Sequence, residues 1–126
     1  MSANIIIFLA SLNGFLAVGI GAFGAHALKA KLPEKLLSTY QTGVEYHFYH
    51  ALALLAVGIL MSQPQWQNNS LLSASGISFL VGILFFCGSL YWLALGGPRW
   101  LGPITPLGGL LFLSGWLLLA IAAIKN

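Results

Sequence analysis

Charge is what this sequence has least of: five lysines and arginines and two acidic residues among 126. An average soluble domain carries about 25% charged residues, and seven charges are too few to cover the surface of a water-soluble fold of this size. The single cysteine, Cys87, excludes an intramolecular disulfide, and its place inside an apolar run suits an inert buried thiol. There is no phosphate-binding glycine loop, no GxSxG, no CxxC and no HExxH in the chain. No nucleophile stands beside a general base, so the expectation is that the protein is not an enzyme. What the chain has in excess is hydrophobic residues, at 59%, together with 15 glycines.

The few charges punctuate the sequence. They fall at Lys29, Lys31, Glu34, Lys35, Glu45, Arg99 and Lys125, leaving 1–28, 46–98 and 100–124 uncharged. A membrane-spanning helix needs about 20 apolar residues. The middle gap is long enough for two, and Gln63-Pro64-Gln65-Trp66-Gln67-Asn68-Asn69-Ser70 divides it. The expected fold is all-α: a multi-pass, four-helix transmembrane bundle forming one domain over 1–126, with spans at about 5–27, 40–62, 71–95 and 105–124. The apolar runs are continuous, without the period-2 alternation of barrel strands.

The net charge of +3 follows from topology and calls for no nucleic acid. Lys29, Lys31, Lys35 and Arg99 share one side of a four-span chain, against Lys125 and the amino terminus on the other. Positive residues stay cytoplasmic, so both termini are expected on the outer, periplasmic side of a bacterial inner membrane. Ala25-His26-Ala27 imitates a signal-peptide cleavage site, but no basic residue precedes the apolar run, so the first span is expected to be retained.

In lipid, helices associate through close backbone approach more than through apolar burial. Ala10, Gly14, Ala17, Gly21 and Ala25 form a seam on the first span. Ser78, Gly82 and Ser89 repeat it on the third, and Gly108 and Gly115 on the fourth. Bundle packing accounts for these. Four short spans still make a thin bundle, which leaves a homo-oligomer open.

The second helix starts at Pro33-Glu34 and carries the polar groups. At 100° per residue, Thr42, Glu45, Tyr46, Tyr49, His50, Ala53 and Ala56 fall on a face about 140° wide, with His47 at its edge and Phe48, Leu52, Leu55 and Ile59 opposite. That face is expected to be the one hidden from lipid. His26 closes the first span, Ser89 and Tyr91 the third, and Thr105 opens the fourth, so the polar groups are expected to gather at the cytoplasmic end. An ionisable residue costs about 2.5–3.5 kcal/mol at the bilayer centre even on insertion scales, which singles out Glu45.

Three chemistries compete there with a structural role. A metal would use His26, Glu45 and His50; haem would sit between His26 and His50 or His47. A proton or ion relay would run through Glu45 and the histidines. The structural reading has Glu, His and Tyr satisfy one another, at about 0.6 kcal/mol per interhelical hydrogen bond. It is the simpler reading, and no cofactor is expected. A membrane protein acting on membrane or envelope stability, through lipid or partner contacts, is set against a proton-coupled or metal-handling carrier.

Gly21-Ala22-Phe23-Gly24-Ala25-His26, Tyr40-Gln41-Thr42-Gly43, Tyr46-His47, His50-Ala51-Leu52, Gly88-Ser89-Leu90-Tyr91, Gly102-Pro103-Ile104-Thr105-Pro106-Leu107-Gly108-Gly109 and Gly115-Trp116 together carry a resemblance. With these stretches, spread over nearly the whole length, the chain resembles an uncharacterised family of small four-helix bacterial membrane proteins, whose eukaryotic relatives are called transmembrane protein 256. The resemblance implies an intact four-span inner-membrane protein and supplies no catalytic residues. It draws attention to His26, Gln41, Thr42, Tyr46, His47, His50 and Thr105, which lie inside the matching stretches.

The topology has a direct check. A carboxy-terminal reporter that fluoresces only in the cytoplasm is expected to stay dark, and the same reporter fused after Lys31 to light up; the reverse pattern overturns the orientation.

Overall fold

The computed structural model describes residues 2–126. Four helices are long and apolar enough to cross a membrane: α1 (Ala3–Leu28), α2 (Glu34–Met61), α3 (Ser70–Ala94) and α4 (Ile104–Lys125). No strand occurs among the described residues. Ser2 caps α1, its hydroxyl accepting from the Ile5 amide at 3.3 Å. Pro33 precedes α2. Asn69 caps α3, Oδ1 accepting from the Leu71 and Leu72 amides at 3.1 and 3.2 Å. At Ser2 and Asn69 a side-chain oxygen satisfies otherwise orphaned amides of the helix start, while Pro33 makes no such bond and its fixed φ suits the entry into α2. α3 stops where Gly96 takes φ +98°, a left-handed conformation cheap only for glycine.

The helices follow one another in space as in sequence, each antiparallel to the last. α2 and α3 form the more deeply buried centre, and α1 and α4 flank them. The interior joins Ile6, Leu54, Val57, Leu72 and Phe79, all fully buried, while Phe8, Phe15, Leu84, Leu113 and Leu117 point outward. That inversion of a soluble fold follows from having lipid as the solvent.

Glycines set the contact distances. A Cβ on Gly58 would come within 2.7 Å of the Ile7 side chain, one on Gly82 within 2.6 Å of the Phe112 ring, and one on Gly115 within 2.6 Å of Phe79. At Gly108 the obstacle is the backbone nitrogen of Phe86, so α3 and α4 touch main chain to main chain there. Ser75 adds a hydrogen bond across the same interface, its hydroxyl donating to the Gly115 carbonyl at 2.7 Å.

The seam expected on α1 is displaced. Ala10 and Ala17 are buried and Gly21 meets Val44, but Gly14 has nothing within 4 Å and Ala25 is exposed. The buried stripe is Ile6, Ala10, Asn13, Ala17, Gly24 and Leu28. At 100° per residue the buried stripe is centred about 50° from that seam, turned toward Asn13, which pairs with His47 on α2. On α3, Ser78 is half-buried and the residue in the interface is Ser75, one turn earlier.

Both α1 and α3 contain a π-helical turn, at Gly24–Leu28 and Ile83–Cys87. Such turns disturb the regular ladder of backbone bonds, and side chains meet the carbonyls nearby. The Tyr40 hydroxyl donates to the Ile20 carbonyl, and the Ser89 hydroxyl to the Phe86 carbonyl at 3.0 Å.

Gly108→Ala must push α4 off the Phe86 backbone, at a cost of about 1–3 kcal/mol. Gly19→Ala meets open space. Thermal unfolding in detergent is expected to fall by several degrees for the first and to stay unchanged or rise slightly for the second; equal effects would contradict this packing.

Candidate functional site

The polar interior is built around two histidines on α2. His47 and His50 are both buried, His47 midway along the helix. Its Nε2 lies 2.9 Å from Asn13 Oδ1 on α1, and its Nδ1 lies 2.9 Å from the Tyr91 hydroxyl on α3. The tautomer follows from connectivity. Asn13 Nδ2 donates to the Leu9 carbonyl at 2.8 Å, and a carbonyl only accepts, so it is the amide oxygen that faces His47. Nε2 therefore carries the proton and donates to Asn13, and Nδ1 accepts from Tyr91. One neutral imidazole bridges three helices.

His50 holds the opposite tautomer. Its Nδ1 lies 2.8 Å from the Tyr46 carbonyl, which only accepts, and its Nε2 lies 3.1 Å from Trp116 Nε1 on α4, which only donates. The ring stacks on Phe112 of α4, centroids 3.6 Å apart and planes 5° from parallel. A proton on Nε2 would oppose the indole N–H. Further out, the Ser89 and Thr105 hydroxyls meet at 2.6 Å between α3 and α4. Each hydroxyl also reaches a carbonyl of its own neighbourhood, Ser89 that of Phe86 at 3.0 Å and Thr105 that of Leu101 at 3.5 Å. No buried side-chain polar atom among the described residues lacks a partner.

Several sequence expectations change here. The buried face of α2 centres on Gly43, His47, His50, Leu54 and Val57, rotated about 100° from the face read from polarity. His47 moves from the edge to the centre, and Glu45 and Tyr49 turn outward. The reason is that α2 packs on both α1 and α3, so its buried side follows the glycines and alanines that admit two neighbours. His26, Gln41 and Glu45 are exposed, and no hydrogen bond or ion pair joins Glu45 to α1. Glu45 thus satisfies no histidine or tyrosine of the bundle, contrary to the structural reading of the cluster. The trio His26, Glu45 and His50 is not assembled, and no three His, Cys, Asp or Glu side chains are grouped to hold a metal among the described residues. Thr42 is half-buried and bonds only locally, its hydroxyl donating to the Ser38 carbonyl at 3.0 Å. The paired groups also sit deeper than the helix ends where they were expected: Asn13, His47 and Trp116 each fall near the middle of a helix, and the Tyr91 hydroxyl reaches His47.

Asn13, Trp116, Ser75 and Tyr40 were the partners that sequence reasoning passed over. Asn13 had a signal: it is an amide in the middle of the first apolar run, in step with Ala10 and Ala17, and hydrocarbon offers it no partner.

Beside His50 an aromatic groove of about 790 Å³ opens between α2 and α4, lined by Tyr46, Tyr49, Phe86, Phe112 and Trp116 among others. Tyr46 packs on Phe86 at 4.9 Å between centroids.

If His47 joins the helices as described, Asn13→Ala and His47→Ala will be coupled. Interhelical bonds in membranes average about 0.6 kcal/mol and reach about 1.7. In a double-mutant cycle read by detergent unfolding, the two single losses should exceed the double loss by roughly that amount; strict additivity would mean the pair does not form.

Comparison with known proteins places the chain. A family profile described as "Protein of unknown function (DUF423)" matches residues 20–109. The chain is 46% identical over 97% of its length to a UPF0382 membrane protein of Staphylococcus epidermidis, covering 97% of that protein. It is 43% identical over 97% of its length to the UPF0382 membrane protein YwdK of Bacillus subtilis, covering 98% of it. A UPF0382 membrane protein of Haemophilus influenzae is 43% identical over 94% of the chain, with 92% of that protein covered. No solved structure matches. On residues 20–109 and on relatives matched from end to end, the chain belongs to the DUF423 family and is a multi-pass, all-helical membrane protein.

Proposed function

We propose that this protein is a non-catalytic component of the bacterial inner membrane that contributes to membrane or envelope stability through lipid and partner contacts at its outer surfaces. The observation that carries this reading is the commitment of the histidines. All four ring nitrogens of His47 and His50 are engaged by groups that suit the neutral rings. A relay needs a site that can take up and release a proton, and protonating His50 at Nε2 sets two N–H groups against each other. A metal ligand needs a free lone pair, and His50 lends its own to Trp116. Buried polar groups arranged in this way join helices.

Lipid contact has its own support. The groove between α2 and α4 is aromatic, open to the surface and large enough for a ligand of a few hundred Å³, a shape that suits the acyl chain of a neighbouring lipid. The outward orientation of both termini belongs to the same proposal, and Lys29, Lys31, Lys35 and Arg99 on one side support it.

The rival is a proton-coupled or metal-handling carrier, and it predicts something different. Protein reconstituted in liposomes with an internal pH dye and an imposed proton gradient, with and without divalent metal outside, is expected to leak no faster than empty liposomes. Flux that disappears in Glu45→Gln while thermal stability is kept would overturn the proposal. His50→Phe is expected to lower the unfolding temperature and to leave flux at background.

A further inference from the structure

The four tyrosines of the chain divide into two pairs. Tyr40 and Tyr91 commit their hydroxyls inside the bundle, to the Ile20 carbonyl and to His47. Tyr46 and Tyr49, both on α2, are exposed, and neither hydroxyl hydrogen-bonds to another described residue.

Depth makes an idle hydroxyl costly. α2 has 28 residues and is about 42 Å long, against about 30 Å of hydrocarbon. In a centred helix Tyr46 and Tyr49 are attached about 12 and 16 Å inside the boundary, too deep for a phenol to reach headgroups or water. Hydrocarbon offers a hydroxyl no partner.

Both tyrosines line the groove between α2 and α4, and its walls are flat. The His50 ring lies within 5° of the Phe112 plane and 16° of the Tyr46 plane, and Tyr46 within 21° of Phe112. Gly109 keeps the groove open. A Cβ there would meet only the Phe86 ring, at 3.9 Å, so this glycine, unlike Gly108 beside it, is not needed for helix contact. From Pro106 to Trp116 the groove follows α4 for about 15 Å. That is half of the hydrocarbon thickness, a short track for a partner helix crossing the whole bilayer. A volume of about 790 Å³ lies within the range of small-molecule sites.

These features ask an occupant for an apolar tail, a flat ring and hydrogen-bond acceptors carried to mid-depth. An ordinary phospholipid has only the first, because its esters and phosphate stay at the interface. A lipid quinone has all of them, with carbonyl oxygens on a ring that dissolves in hydrocarbon.

We propose that the groove binds a lipid quinone, whose ring lies against the aromatic wall while its carbonyl oxygens accept hydrogen bonds from the Tyr46 and Tyr49 hydroxyls. This rests on the lipid-contact reading of the groove given above and names the lipid.

Protein in phosphatidylcholine nanodiscs is to be photolabelled with a fully substituted para-benzoquinone carrying a decyl tail and an azide. Full substitution keeps the ring from adding to Cys87. Saturable labelling is expected on the groove segments of α2 and α4, displaced by the azide-free quinone and not by decylbenzene, which has ring and tail without the carbonyls. Tyr46→Phe and Tyr49→Phe are each expected to weaken quinone binding roughly three- to ten-fold. Their unfolding temperatures should not change, since neither hydroxyl bonds within the chain. Equal displacement by decylbenzene, or full affinity in the Tyr46→Phe/Tyr49→Phe double variant, overturns the quinone. A phospholipid with an azide on its acyl chain forms the parallel arm. Groove labelling by the phospholipid alone overturns the quinone and keeps the lipid contact. If neither probe labels the groove above the outer face of α1 around Phe15, the groove is closed or covered by another chain, and both readings fall.

Discussion

An imidazole in hydrocarbon needs partners for both of its nitrogens, and His47 finds them on two different helices, Asn13 on α1 and Tyr91 on α3. Much else in the bundle follows from that requirement. α1 is rotated so that Asn13 faces inward, which places Ile6, Ala10 and Ala17 on the same buried stripe. Tyr91 is drawn down over Gly43, where any side chain would strike its ring within 2.7 Å. His50 fastens α2 to α4 by the same logic, three residues further along, with Trp116 and Phe112 as partners. Individually such bonds are weak in membranes, because an unfolded helix in lipid finds other partners too. What they supply is register: only one rotation of each helix lets every donor meet an acceptor.

Glycines and polar pairs divide the work. Gly82, Gly108 and Gly115 bring α3 and α4 together until Phe86 main chain meets α4 main chain, and Gly58 does the same for α1 and α2. Close approach gives dispersion contacts but little angular preference. Ser75 with the Gly115 carbonyl, Ser89 with Thr105, and Tyr40 with the Ile20 carbonyl lie along these same contacts and fix where they slide to rest. The two π-helical turns belong to this arrangement, since each lies beside one of the hydroxyl-to-carbonyl bonds.

How legible this was in the sequence depended on the kind of signal. The spans were readable from charge-free runs, because hydrocarbon thickness sets helix length and charge marks its limits; the helix start at Pro33-Glu34 was readable from proline. The glycine contacts at Gly82, Gly108 and Gly115 were within reach of the rule that small residues mark close approach. Rotation was harder. Polarity placed the hidden face of α2 on an arc running from Glu45 to His50, about 100° from where it lies, because the buried side follows the small residues that admit α1 and α3 more than it follows polarity. Partners were hardest of all. Nothing in the neighbourhood of Asn13 says that His47, 34 positions away, will meet it; that needs the packed geometry of both helices.

The polar residues of the spans therefore fall into two populations with different chemistry. Those paired within the chain, Asn13, His47, His50, Tyr91 and the groove-lining Trp116, have their donors and acceptors matched. To recruit His50 to a metal or to haem, the indole of Trp116 must lose its acceptor and the stack on Phe112 must open, and an unpaired N–H in an apolar interior costs about 1–3 kcal/mol. Those outside, His26, Gln41, Glu45 and Tyr49, have capacity and no use for it within their own chain. The intramembrane acid that seemed to announce a reaction centre belongs to the second group. Whatever this protein does to something else, it has the unspent hydrogen-bonding capacity to do it on the outer face of α2, while the histidines at its centre hold the helices in place.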